Sequence, residues 1–300
     1  MKKIKGEATG KVILFGEHFV VYGAPAIAAA INNKAIVEIE ESEENDIITN
    51  LEVIPEMSKG AIAAIERAMG IDKKFKVYLT GNLPTYGGLG SSAAFCVALV
   101  KAFAAYKNLH LNKKQINDFA YEGEKVFHGS PSGIDNYMAT YGGFLLFKKG
   151  ENGLQKQLEI KNSFNVVVGF TGKLSPTAKM VAEVRKLKED DPEKFTELLE
   201  EATELVYKAA AAIEKGKLEE IGVFMNQNQK LLDAIGVSDE KNEDMIKLML
   251  EAGALGAKIT GGGGGGCCIA LARDKIAAME IERTLKKKGY PSFTTLIPNK

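Results

Sequence analysis

The hydrophobic pattern of this 300-residue chain switches between two periods. Short runs rich in β-branched residues, Val12–Phe15 and Ala35–Ile39, read as strands. So does Phe75–Thr80, where Phe75, Val77 and Leu79 alternate with polar positions. Ala61–Met69 predicts a helix. Ser92–Tyr106 is apolar nearly all round, which predicts a buried helix. Gln115–Phe127 places Ile116, Phe119, Ala120, Gly123 and Phe127 on one helical face. Gly142–Phe147 and Val166–Phe170 return to strand. From Thr177 to about Lys215 the pattern is helical and charged, with Asp191-Pro192-Glu193 opening a long helix where proline is tolerated. Leu218–Ala234 and Glu243–Ala252 predict two more helices. Lys258–Thr260 and Cys268–Leu271 read as strands around six consecutive glycines, and a helix at Lys275–Lys288 leads into a strand near Phe293–Ile297.

This order predicts an α+β fold in two domains. A mixed first half, residues 1–155, is followed by a helix-rich second half, residues 156–300, with the boundary near Lys149-Gly150-Glu151-Asn152-Gly153. Composition adds exclusions. Hydrophobic residues make up 45% and charged residues 26%, as in ordinary globular proteins. Basic and acidic residues number 39 each, so no excess charge favours nucleic acid or an anionic membrane. Three cysteines fit no disulfide framework, and their apolar neighbours predict buried thiols. Val12–Phe15 is too short for a secretory apolar core, and Pro84 and several glycines break the uncharged stretch Val77–Val100. The expected location is the cytoplasm.

Candidate chemistry is concentrated in four segments. In Pro84-Thr85-Tyr86-Gly87-Gly88-Leu89-Gly90-Ser91-Ser92 a glycine-rich loop runs straight into the buried helix. Glycines let the backbone approach a ligand, and the first turn of a helix offers unpaired N–H groups to an anion. No lysine follows the last glycine, so this is not a Walker A loop. A glycine turn with a serine cap is the plainer alternative. The second segment, Gly261–Gly266, carries far more glycine than a hairpin needs, which implies a close backbone approach. Third, Lys11 and the Glu17-His18 pair bracket the Val12–Phe15 strand. Fourth, Glu122–Asn136 places Glu124 at the edge of a helix's buried face and delivers Asp135 onto a new element through the turn-rich Gly129–Gly133. A surface role for Glu124 and a capping role for Asp135 are the plainer readings there.

Together and in this order, these segments resemble the GHMP kinase superfamily. Lys11–Gly23 (KVILFGEHFVVYG) is similar to its first motif, Gly88–Ala94 (GLGSSAA) to its phosphate loop, Gly123–Asp135 (GEKVFHGSPSGID) to its metal and catalytic segment, and Lys258–Cys267 (KITGGGGGGC) to its third motif. Gly262 stands where the family usually has alanine, and Thr9 where it commonly has proline. The resemblance covers about residues 8 to 272.

It implies a domain like ribosomal protein S5 domain 2 followed by a ferredoxin-like domain, with the ligands in the cleft between them. It further implies ATP and Mg²⁺ as cofactors. Pro84, Gly87, Gly88, Leu89, Gly90, Ser91 and Ser92 would bind the nucleotide, and Ser92 (or Ser91) and Glu124 the metal. Asp135 would accept the proton of the substrate hydroxyl, and Lys11 would stabilise the negative charge that develops. Glu17, His18, Thr177, Gly262 and Gly263 would lie at the substrate. Within the superfamily, Lys11–Gly23 and the His128–Asp135 stretch (HGSPSGID) point to mevalonate, phosphorylated on its primary hydroxyl to 5-phosphomevalonate, and a homodimer is possible by the same resemblance. Two alternatives remain at this stage: another small-molecule kinase of the superfamily, acting on homoserine, a sugar or phosphomevalonate, or a non-catalytic nucleotide-sensing relative.

Overall fold

A computed structural model describes residues 3–49, 51, 55–85, 87–149 and 154–299. Tyr86 of the first glycine loop and Gly150–Gly153 of the expected boundary lie outside the described residues. The secondary structure runs β1 (Ile4–Phe15), a 3₁₀ turn (Phe19–Tyr22), β2 (Pro25–Ser42), β3 (Asp46–Thr49), α1 (Pro55–Ala68), β4 (Lys74–Gly81), α2 (Ser91–Tyr106), α3 (Lys113–His128), α4 (Ile134–Tyr141), β5 (Phe144–Lys148), β6 (Leu154–Leu158), β7 (Phe164–Phe170), α5 (Thr177–Asp190), α6 (Pro192–Lys215), α7 (Leu218–Ala234), α8 (Glu240–Glu251), β8 (Gly256–Thr260), β9 (Cys267–Ala272), α9 (Lys275–Lys287) and β10 (Ser292–Ile297). Helices and strands are mixed along the chain, as the α+β expectation has it.

The chain forms two compact units interleaved in sequence. One contains Met1–Lys11, Ala30–Thr85 and Leu89–Gly142; the other contains Val12–Ala29, Tyr86–Gly88 and Gly143–Lys300. In the first unit, β2 pairs antiparallel with β4 over Ala35–Ser42, and β3 adds to β4 in parallel. Its core centres on α2, where Ala93 to Val100 are all buried, as expected of a helix apolar on every side. Gly6 of β1 lies against the Ala98 backbone, and a Cβ there would collide with the α2 carbonyl. Gly123 likewise lets α3 close onto Cys96 of α2 and Ile65 of α1.

In the second unit, the first residues of β2, Pro25–Ala29, pair antiparallel with β5, and β5 with β6. A four-stranded antiparallel sheet follows in the order β10-β7-β9-β8. Its strands β8 and β9 are buried throughout. Ala257, Ile259, Cys268 and Ala270 pack with Leu232 of α7, Met245 and Met249 of α8, and Ile281 and Leu285 of α9. Strand alternation and helix stripes thus meet in one apolar layer, which fixes the Lys258–Cys267 segment at its edge.

Candidate active site

The first unit brings together Lys11, Ser92, Glu124 and Asp135. Lys11 ends this unit's portion of β1, and its backbone N–H donates to the Leu89 carbonyl at 2.9 Å, tying strand to loop. Its buried side chain reaches Asp135, with Nζ 3.3 Å from Oδ1. Gly90, at φ 72°, turns the chain into α2, and the space where its Cβ would stand is filled by Lys11 Cγ at 3.1 Å. α2 therefore begins at Ser91 with Gly90 as its N-cap and no side chain capping it. The serine-cap alternative does not occur. The first-turn N–H groups are left for an anion. Asp135 is not a cap either: Gly133 caps α4, and Asp135 stands in its first turn, half-buried.

Glu124 departs from the sequence expectation. Helical spacing puts it at the edge of the buried face, yet it is 1% exposed. Close packing at Gly123 draws that edge under cover. Its Oε2 lies 3.8 Å from His128 Nε2, one turn on, and Ser92 hydrogen-bonds its carboxyl group. Ser92 Oγ is also 3.2 Å from His128 Nε2. Oε1 is buried with no hydrogen-bond partner among the described residues. Burial pushes the carboxyl group up to about 7, Asp135's charge adds to this, and Ser92 and Lys11 oppose it. A buried carboxylate oxygen without a donor beside a serine hydroxyl suits a hard divalent cation. The residues present fit Mg²⁺.

A second constellation lies within the other unit. Just past β1, Gly16 donates its N–H to Asn228 Oδ1 at 3.2 Å. Ile13 exchanges two bonds with the Thr260 hydroxyl, its N–H donating at 2.9 Å and its carbonyl accepting at 3.0 Å. Glu17 and His18 follow, both buried, with the Glu17 carboxylate against the Lys258 ammonium. His18 stands at φ 62°, and its Nε2 lies 2.9 Å from the Gly262 carbonyl.

The six-glycine run is no slack hairpin, because it is held at five successive residues. Gly262 O meets His18, Gly263 O accepts from Ser175 Oγ at 2.6 Å, and Gly264 N donates to Val237 O at 2.8 Å. Gly265 bonds Asn242 through both its N–H and its carbonyl, and Gly266 N donates to Lys173 O at 2.8 Å. Gly261 and Gly263 to Gly266 all take positive φ, which explains why glycine recurs. Thr177, exposed at the start of α5, has its hydroxyl where a Cβ on Gly262 would stand. Gly87 likewise rests on Cys267 Sγ, with no room for a Cβ. The three cysteines are free and buried; burial pushes Cys268 up to about 12 and Cys267 higher still, so neither thiol is a nucleophile.

Five residues of these clusters escaped sequence reasoning: Lys258, Asn242, Ser175, Asn228 and His128. Lys258 and His128 fall inside recognised motifs, but nothing in spacing marks their contacts. Asn242, Ser175 and Asn228 reach the site through tertiary folding alone.

Comparison with known proteins decides the family. Residues 56–143 match the GHMP kinases N terminal domain and residues 209–291 the GHMP kinases C terminal domain. The mevalonate kinase of Pyrococcus furiosus is 39% identical, with 91% of this chain and 90% of that protein covered. The chain belongs to the mevalonate kinases. It is therefore an ATP-dependent small-molecule kinase. The crystal structure of L. major mevalonate kinase in complex with R-mevalonate has a TM-score of 0.92 and 33% identity, covering 99% of this chain and 96% of that one. The Methanococcus jannaschii mevalonate kinase has a TM-score of 0.84 and 28% identity, covering 99% and 98%. The family's usual alanine in the third motif would not fit here without displacing Thr177, so Gly262 is matched to its own neighbours. No helix among the described residues is long and apolar enough to cross a membrane.

Proposed function

We propose that this chain transfers the γ-phosphoryl group of ATP to the primary hydroxyl of mevalonate, giving 5-phosphomevalonate. The observation that carries the reading is near-complete likeness to a mevalonate kinase crystallised with R-mevalonate. Sequence identity to named mevalonate kinases over most of the chain supports it.

In such a transfer the protein mainly positions groups and neutralises charge. The N–H groups of Gly87–Ser92 at the start of α2 hold the ATP phosphates. Ser92 and Glu124 are the residues that would hold Mg²⁺, which supplies charge neutralisation on the phosphate oxygens when bound. Asp135 accepts the proton of the attacking hydroxyl, and Lys11, 3.3 Å away, fixes the carboxylate and faces the developing negative charge. Glu17, His18, Thr177, Gly262 and Gly263 are the substrate-side residues. The pinned glycine run supports that role, because a rigid backbone holds a ligand without reorganising. Buried free thiols support work in a reducing compartment such as the cytoplasm.

An ADP-release assay with mevalonate, homoserine, galactose and phosphomevalonate tests the reading. Mevalonate should give kcat/KM at least about a hundredfold above the others. A higher value for any of the other three overturns the substrate assignment.

A further inference from the structure

Lys258 has no part in the reaction outlined above, yet it is fully buried in β8. A buried ammonium persists only where it is paired and hydrogen-bonded. Lys258 Nζ lies against the Glu17 carboxylate and the Ile259 carbonyl. The next residue, His18, holds φ 62°, a conformation that a side chain with a Cβ enters only when its surroundings impose it. Two anchors impose it here. Lys258 grips Glu17 from within β8, and Gly262, just beyond the end of β8, receives the His18 ring at 2.9 Å.

That second anchor fixes the tautomer. A carbonyl oxygen can only accept, so the proton sits on Nε2. Burial lowers the affinity of the ring for a second proton most, the Gly262 bond opposes this, and the nearby Lys258 charge lowers it further. A neutral ring protonated on Nε2 leaves Nδ1 as a hydrogen-bond acceptor. An acceptor nitrogen repels a carboxylate and takes a bond from an O–H. Mevalonate offers one carboxylate and two hydroxyls.

We propose that Lys258 is a positioning residue, holding the Glu17–His18 turn so that His18 Nδ1 accepts a hydrogen bond from a substrate hydroxyl. The inference rests on the substrate-side reading of His18 and sharpens it: the ring recognises an alcohol and does not serve as the seat of the carboxylate. Lys258 acts through its neighbours and touches no reacting atom.

Nitrogen-15 NMR of the full, substrate-free chain tests this directly, because there are three histidines, His18, His110 and His128, and His18→Gln assigns the signal. At neutral pH His18 should show a protonated Nε2 and a bare Nδ1. Adding mevalonate should shift Nδ1, whereas glutarate, which offers carboxylates alone, should not. In Lys258→Met the His18 signals should move towards the doubly protonated form, and the KM for mevalonate should rise about tenfold while that for ATP stays within about threefold. A proton on Nδ1 of the wild-type protein overturns the proposal. So does an equal response to glutarate, or a folded Lys258→Met with wild-type His18 signals and wild-type mevalonate KM. Should Lys258→Met not fold, the wild-type spectra still decide. The tautomer is read without substrate, so an enzyme with the expected His18 signals that turns over another alcohol would sink the mevalonate reading alone.

Discussion

Asn242 holds Gly265 by both of its peptide groups: Oδ1 accepts from Gly265 N and Nδ2 donates to Gly265 O, each at 3.0 Å. The same side chain closes the capping box of α8 with Asp239, whose carboxylate meets Lys173 Nζ at 2.9 Å. The start of α8 and the glycine run are therefore one hydrogen-bonded assembly. Replacing Asn242 by Ala leaves two buried backbone groups unpaired, each costing about 1–3 kcal/mol. Asn242→Ala should lower the melting temperature and speed amide exchange across Gly261–Gly266. Unchanged exchange there would mean that the run is rigid without Asn242.

Asp135 bears on the chemistry itself. Asp135→Asn keeps the size of the side chain but removes the proposed base, so kcat should fall on the order of a hundredfold or more. ATP binding, measured by nucleotide titration, should stay near normal, since no phosphate-loop residue is touched. Turnover within a few-fold of wild type would reassign the base.

Much of this was legible in sequence because local signals agreed with the fold. The apolar run of α2, the capped stripe of α3 and the strands around the glycine run each announce an element through periodicity alone. Other features follow from tertiary context. β2 runs for 18 residues, although only Ala35–Ile39 carries an obvious strand pattern, because β5 and β4 pair with different stretches of it. β3, β6 and α4 are short and weakly patterned, and pairing or packing creates them. Among the site residues, Lys11 and Asp135 meet at 3.3 Å although 124 positions separate them in the chain, a proximity that only family resemblance could supply. The burial of Glu124 depends on Gly123 closing a helix contact, which no period reveals.

Gly262 offers a sharper test of local fit. A methyl group there would collide with the Thr177 hydroxyl and lie 2.6 Å from Ser175 Oγ, which itself bonds Gly263 O. Gly262→Ala should displace the Ser175–Thr177 segment at a cost of about 1–3 kcal/mol, as other insertions into packed sites do. The expected outcome is a several-fold higher KM for mevalonate with the KM for ATP little changed. Equal rises in both would place the disturbance outside the substrate side.

Glu124 links the proposed metal site to pH. Its carboxyl group is raised from the ordinary 4.5 to about 7 in the folded protein, chiefly by burial. The folded state thus holds this proton more tightly than the unfolded chain. The stability it contributes is complete below about pH 4.5 and is lost as pH rises through about 7, amounting to about 3 kcal/mol at most. Glu124→Gln cannot ionise, so in EDTA its stability relative to wild type should be flat at low pH and climb between about pH 4.5 and 8. Thermal melts across that range measure the difference, and a gap that does not widen with pH would exclude a buried, cation-poor carboxylate. Excess Mg²⁺ and ATP should close the gap at pH 8 by stabilising the wild-type carboxylate, which the glutamine cannot imitate. The same substitution should depress turnover at every Mg²⁺ concentration, because the orphaned Oε1 that costs stability in the empty protein is the oxygen available to the cation.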